Sequence, residues 1–540
     1  MPTTNDLTKK SIDQNSPPDM PAKIHVEQKS ESELATASTV VQTGHLTALK
    51  QDNNIKLLFK DMLEKIVSQK NADIQQNIIN YILEDLDNVK QDVIVSKNAK
   101  IIIKQIISLI DQLLSTQVNA IMQHVDFKQL EASWRGLMYL VKNSKLNELL
   151  KIKVMDATKE EILEDIDDEE IRDTSTIFNK VFTPSNIPGG QPFSAIIGDF
   201  EFTNSPEDQI FLERIKKVAA AANAPFIAAV SPQMFETKKY INSKIEQVKL
   251  NSFTEFKSLP KLEVVFAENK IYPEWNALRD SEDSRYLALT IPHVLLRAPY
   301  GPETFKTKTF IYEEDVKDLK NFLWGNAAYH LGVCMTKAFT KSGWILAIRG
   351  PKGGGLVENL PIHKFTTDEG KAGIIGPTDL LIDNTRMGEL KRLGFTALVT
   401  EVDTNKAAFY FTPTVNKPKK YDKPEANASA ELSAELQYML CVSRFAHYLK
   451  MITVYEIGTF KTRKELETYL NDWLQGYVLD QDSADQGLKA RYPLRKAEVT
   501  VTEDPNLPGY YMAYALLRPN FQLNEVLIKM SLVSKIKSNN

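Results

Sequence analysis

Between residues 193 and 415, short apolar runs alternate with helical patterns: FSAIIGDF, PFIAAV, LALTIPHVLL, WILAIRG, FTALVTEV and AAFYFTP. A chain patterned in this way is predicted to fold as a mixed α/β (α+β) body, because each strand must bury its apolar side chains against helices. The C-terminal region reads differently. AEVTVTE at 497–503 alternates strictly, DPNLPG supplies turn chemistry, YYMAYALLR follows, and Val526, Ile528, Met530 and Leu532 alternate again. Two helices are expected before these strands, over 431–451 and 462–478. The strands predict an antiparallel meander whose terminal strands leave an edge with unpaired backbone groups. Such an edge must be covered or accept another strand. The alternation singles out Val499, Val501, Ile528 and Met530 for a sheet that joins neighbouring subunits.

Upstream of the body the pattern is helical. Apolar positions 55, 58, 59, 62, 63, 66 and 67 form one stripe, and 101–122 forms a second amphipathic helix. In DFKQLEASWRGLMYLVKN, 126–143, the residues Phe127, Leu130, Trp134, Leu137 and Val141 follow a three-four spacing on one helix face. Ordinary packing of that face into the core is the expectation. Asp126 is the expected N-cap, and Glu131 and Arg135 pair at i,i+4. EEILEDIDDEEIRD, 160–173, holds nine acids, but a solvated helix face explains them better than a metal site.

Residues 1 to about 50 contain no aromatic residue, the first being Phe59. Such a segment cannot bury enough apolar surface to offset its chain entropy, so a flexible arm is expected. Thirty extended residues reach on the order of 100 Å, beyond a compact body of radius of gyration about 24 Å. The expected layout is an arm over 1–50, a helical segment over 51–125, the body over 126–412, a linker or surface loop over 413–430, and a C-terminal domain over 431–540.

Composition narrows the function. Hydrophobic content of 43% with 25% charged residues is that of a soluble globular chain, and no run suits membrane insertion. A net charge of −4 disfavours nucleic-acid binding. Two cysteines, Cys334 and Cys441, exclude a disulfide framework and a cysteine-rich zinc site. The one suggestion of chemistry is RGPKGGG, 349–355, after the apolar Trp344–Ile348. Gly350 and Gly355 have phosphate-loop spacing, but Leu356 and Val357 replace the lysine and hydroxyl residue that follow in such loops. A nucleotide-binding enzyme using 344–357 and Lys352 is therefore the alternative reading, and a flexible turn the plain one. A scaffold that binds partners without polymerising is the third reading. The seven histidines fall in no metal or catalytic spacing, and His447 in RFAHYLK reads as structural. No catalytic, cofactor or metal residue is assigned.

Several long, unusual segments together resemble the large-subunit family of the type VI secretion contractile sheath (TssC/VipB/IglB). They are DFKQLEASWRGLMYLV (126–141), AAAANAPFIAAV (219–230), LRDSEDSRYLAL (278–289), LLRAPYG (295–301), WGNAAYHLG (324–332), RFAHYLK (444–450), LNDWLQGYV (470–478) and LRPNFQL (517–523). The sequence departs from the family's usual Arg near His293 and its usual His at Asn520. The resemblance implies a structural, non-enzymatic subunit without cofactor. It implies a heterodimer with a small sheath subunit (TssB/VipA/IglA-like), a helical polymer of that pair around an inner tube of Hcp rings, and assembly on a baseplate. It further implies a cytoplasmic sheath attached through the baseplate to the inner membrane complex, and disassembly by a ClpV-type ATPase acting on the N-terminal region.

Overall fold

The computed structural model describes residues 99–166, 175–185, 187, 189–241, 244–267, 272–301, 304, 310, 312–366, 370–402, 404–455, 462–481, 486–503, 510–520, 528–530 and 536–537. The expected arm over 1–50 and the helix over 55–69 lie outside the described residues. The chain divides into two compact units between Ser108 and Leu109. The described part of the first is 99–108, the opening of helix α1 (Ala99–Met122). The architecture below is that of the second unit.

Helix α2 (Val125–Asn143) follows α1 after two residues. Its N-cap is His124, which makes no side-chain cap bond, and Asp126 sits in the first turn instead. Asp126 there still favours the helix, because a carboxylate in the first turn complements the helix dipole. The body is then built from β1 (Ile196–Phe202), α3 (Pro206–Ala222), β2 (Phe226–Val230), β3 (Leu287–Ile291), α4 (Ala328–Ser342), β4 (Leu356–Val357), α5 (Asn384–Leu393), β5 (Phe395–Thr400) and β6 (Ala407–Phe409). The six strands form one sheet in the order β1-β2-β3-β5-β6-β4. The first four are parallel, and β6 and β4 add antiparallel at one edge.

Local sequence sets the helix ends. In α3 the Ser205 side chain accepts from the Asp208 N–H, Pro206 occupies the first turn where no N–H is needed, and Asn223 closes the helix with φ 51°. Because the parallel strands are covered on both faces, they are apolar on successive residues. Phe226, Ala228, Leu287, Leu289, Phe395 and Ala397 face one core, under α3 and a ring cluster in which Trp275 stacks on Phe395 at 5.3 Å. Ile227, Ala288 and Leu398 face the other, with α4.

The C-terminal part comprises α6 (Pro424–Ser433), α7 (Leu436–Tyr455), α8 (Arg463–Gln475), β7 (Leu494–Glu503), β8 (Tyr510–Pro519), β9 (Ile528–Met530) and β10 (Ile536–Lys537). β7 pairs with β8, which carries β9 and β10 on its far side. A third core lies between this sheet, α7 and α8.

Two expectations change. Trp344–Ile348 forms no strand. Its side chains are buried but diverge: Ile345 and Ile348 enter the core beside α4, while Trp344 and Leu346 enter the C-terminal core. Trp344 stacks on Phe445 at 4.4 Å. A segment serving two cores has no sheet to pair with, although it is as apolar as a strand. Within 413–430, the residues at 413–416 are buried rather than on the surface. There Thr414 donates to Ala434 O, and Val415 donates to Leu287 O. The stretch from Pro424 is helix α6, and 417–423 is the mainly exposed connection between them.

Helix α2 crosses α4 at Gly136, where an added Cβ would stand 2.4 Å from the Tyr329 ring. Gly136→Val should therefore destabilise the fold by about 1–3 kcal/mol through overpacking, read as a lower midpoint in urea unfolding.

Candidate assembly surfaces

The glycine loop is a packed turn. Gly350 N–H donates to Phe409 O at 2.7 Å, and Gly353 and Gly355 N–H donate to Gly350 O at 3.2 and 2.9 Å. Gly350 and Gly354 take φ of 69° and 93°. A Cβ at Gly354 would lie 2.0 Å from Ala347 O, and one at Gly355 2.6 Å from Phe409 O. Glycine is needed here because the turn presses against its own backbone and against β6. The amides of Gly350, Gly353 and Gly355 are thus committed to carbonyls rather than free to cradle a phosphate, and Lys352 is exposed.

Helix α2 is held by an ion cluster. Arg297 donates to Glu314 at 2.6 and 3.0 Å and to Glu131 at 2.7 and 3.2 Å. Arg135 adds the expected i,i+4 contact to Glu131 at 2.7 Å and reaches Tyr300 Oη at 3.0 Å. Two guanidiniums thus face two carboxylates. Burial disfavours ionised Glu131, but the bonds from Arg297 and Arg135 outweigh it and hold its pKa below the usual range. The turn before α2 is pinned as well. Gln123 donates to Asn321 O at 3.1 Å, and Tyr312 donates to Asn119 Oδ1 at 2.8 Å.

The three-four spacing found the helix but not which way its apolar face points. Phe127, Leu130, Trp134 and Val141 are 38%, 56%, 63% and 39% exposed. Only Leu137 of the five packs, against Leu140, Tyr329 and Val333. The expectation of core packing is corrected for the other four. Besides Leu137, Gly136, Tyr139 and Leu140 pack inward. Met138, 52% exposed, completes the outward stripe and lies within the same spacing, four residues beyond Trp134.

The C-terminal sheet has one closed side. Val499 N–H donates to Asn471 Oδ1 and Val501 N–H to Glu467 Oε2, both at 2.8 Å. Asn471 Nδ2 returns a bond to Val499 O at 2.7 Å, and Gln475 Nε2 one to Ala497 O at 3.3 Å. Glu467, Asn471 and Gln475 are one helical turn apart, about 6 Å per step. Alternate strand residues repeat about every 6.8 Å. Helix α8 therefore lies along β7 like a neighbouring strand and satisfies its outer edge. Val499 and Val501 turn their side chains into the core, each 1% exposed. Ile528 and Met530 lie in β9, opposite Leu517 and Ala515 of β8. Sequence reasoning missed the ladder, although LNDWLQ places Asn471 and Gln475 four apart.

Two of the described histidines are fixed by polar partners. His447 donates from Nε2 to Ala222 O at 2.7 Å, and burial pushes its pKa down to about 4. His293 stands between two acids, with Nδ1 2.8 Å from Asp379 Oδ2 and Nε2 3.1 Å from Glu201 Oε1. Burial alone would lower its pKa, but the Glu201 and Asp379 carboxylates outweigh this and hold it well above the usual value. Among the described residues no cluster of three or more His, Cys, Asp or Glu could hold a metal. None of the described helices is long and apolar enough to cross a membrane.

Two outcomes follow from these contacts. Asn471→Ala leaves two buried strand groups without partners and should cost about 1–3 kcal/mol, measured by urea unfolding. The imidazolium of His293 contributes its full stability below about pH 6.5, the value of an unfolded histidine, and this is lost as pH rises through the elevated folded value. Thermal midpoints measured from about pH 6 to about pH 10 should fall for the wild type, and fall less steeply for His293→Arg, whose charge persists.

The EvpB/VC_A0108 tail sheath N-terminal domain family matches residues 104–416, and the EvpB/VC_A0108 tail sheath gpW/gp25-like domain family matches 425–536. The type VI secretion system sheath protein TssC1 of Pseudomonas aeruginosa is 39% identical over 457 residues, which span 83% of this chain and 89% of that one. A chain from the cryo-EM structure of the anti-feeding prophage baseplate is similar over 60% of this chain and 65% of that chain, at 8% identity and a TM-score of 0.28, too low to support an argument. With two sheath-domain families covering consecutive stretches and a sheath protein aligned over most of its length, the chain belongs to the VipB tail sheath family of type VI secretion systems.

Proposed function

We propose that this chain, a structural subunit of a type VI secretion contractile sheath, works as the large subunit of a heterodimer with a small sheath subunit. The pairs stack into a helical tube around an inner tube of Hcp rings, and contraction drives that inner tube out of the cell. The sheath assembles in the cytoplasm on a baseplate attached to the inner membrane complex. The N-terminal region serves as the handle for a ClpV-type ATPase. The role is non-enzymatic, and the bonded amides of Gly350, Gly353 and Gly355 support this over the nucleotide-hydrolase reading.

The observation that carries the assembly scheme is the asymmetry of the C-terminal sheet. The β7 edge is satisfied by Asn471, Glu467 and Gln475. Among the described residues the opposite side holds β9 and β10, three and two residues long. Short strands are readily replaced or extended, so a strand from a neighbour joins beside β8 and not beside β7. Main-chain bonds then tie subunits together while flexible connections let the bodies swing. Such a tube can be built in an extended packing and relax to a contracted one, with the energy stored during assembly.

Co-production with the small subunit and negative-stain electron microscopy tests this. The full chain should give long tubes. Deleting residues 1–50, or truncating after Asn520, should leave the heterodimer intact on size-exclusion chromatography and abolish the tubes. Long tubes from either truncated chain would refute the strand-exchange scheme, and discrete particles from the full chain would favour a non-polymerising scaffold.

A further inference from the structure

We propose that α8 guards β7 against a second copy of this chain: uncovered, the β7 edge is self-complementary and pairs antiparallel with its own counterpart about a two-fold axis at Val499. Growth of a helical tube, which the guard protects, comes from the sheath reading, whereas the pairing itself does not depend on it.

The closure runs further along β7 than the contacts of α8 alone. Leu479 N–H donates to Leu494 O at 2.8 Å, and Leu494 N–H donates to Tyr477 O at 3.2 Å. Asn520 Nδ2 in turn donates to Leu479 O at 3.1 Å. Beyond this point α8 satisfies Ala497 O, both backbone groups of Val499, and Val501 N–H. The helix is seated there by its own sequence. Thr462 and Glu465 form a capping box, and each residue of the ladder directly follows a buried leucine: Leu466, Leu470 and Leu474.

The strand's pattern shows what is kept out. In an antiparallel strand the N–H and C=O of one residue point the same way, and alternate residues share a side. Residues 497, 499 and 501 therefore all turn these groups outward. Laid antiparallel beside itself with Val499 opposite Val499, β7 sets Ala497 opposite Val501 on the apolar face. On the other face Lys496, Glu498 and Thr500 are exposed. There Glu498 meets Thr500, and Lys496 meets Thr502. No like charges meet, and the outward groups of 497, 499 and 501 pair with one another. Such a contact is isologous and closes on itself as a dimer. It ends growth where a tube needs each contact to lead to the next subunit.

The test mixes two preparations of the full chain, each co-produced with the small subunit, one carrying Lys496→Cys and the other Thr502→Cys. The native Cys334 and Cys441 are buried. In the proposed register positions 496 and 502 are directly opposed without hydrogen bonds, with Cα atoms about 4.5 Å apart, within disulfide reach. Within either preparation alone the two thiols stand about 20 Å apart. Asn471→Pro opens the guard, because proline interrupts α8 and removes both bonds to Val499, and Asn471→Ala is the milder form. Under oxidising conditions Asn471→Pro in both preparations should raise the mixed disulfide about 10-fold over guarded chains, and Asn471→Ala should raise it less. Adding Thr500→Glu, which sets a carboxylate against Glu498, should suppress it several-fold in low salt, whereas Thr500→Lys should increase it. Equal yield from guarded chains, no mixed disulfide from opened ones, or as much disulfide within one preparation as between the two would overturn the proposal. So would a yield indifferent to the charge at position 500, which is what an unfolded chain would give. Absence of tubes from the wild type sinks the sheath reading alone, because the disulfide is read without tubes.

Discussion

The five residues Trp344–Ile348 hold the molecule's working parts together. Ile345 and Ile348 are anchored beside the six-stranded sheet, and Trp344 and Leu346 in the core under the C-terminal sheet. Burying each large side chain contributes about 1.5–3 kcal/mol, so a short irregular segment welds two cores. Helix α7 makes the same connection, with Leu436 and Leu440 in one core and Phe445 and Leu449 in the other. This continuity couples the C-terminal sheet to the body, so neither core can shift without the other.

Polar groups are used with the same economy at the margins. The edge of β7 is closed by side chains of α8 rather than by another strand. Helix α2 is closed on its inner side by a neutral set of two arginines and two glutamates, which leaves its apolar side outward. In both places the buried polar groups are satisfied, and satisfaction on one side defines which side is open. Specific assembly depends on such one-sidedness, because a subunit with two equivalent open edges would associate in more than one register.

Much of this was legible in the sequence, and the failures are instructive. The apolar runs FSAIIGDF (193–200), PFIAAV (225–230), LALTIPHVLL (287–296), FTALVTEV (395–402) and AAFYFTP (407–413) each supply a strand of one sheet, over part of the run's length, because runs bounded by turns and helices have few other ways to be buried. Glu131 and Arg135 were paired correctly from their spacing alone. The reading of Trp344–Ile348 as a strand failed because apolar content reports burial and not hydrogen-bond pairing. The reading of Phe127, Leu130, Trp134 and Val141 as core failed for a related reason. Period establishes that a stripe exists, but in a subunit of a polymer the surface that covers it can belong to another molecule.

What the sequence by itself determined is the class of object: a mixed α/β chain with a C-terminal meander and segments that resemble a contractile sheath subunit. Local periodicity and turn chemistry act over a few residues, so they are visible without a fold. Only the tertiary structure decided which faces are open. The partners that close an edge or clamp a helix come from far away in the chain, as Arg297 reaches Glu131 and Asn471 reaches Val499. Those contacts depend on where distant elements meet in space, and no local pattern encodes that.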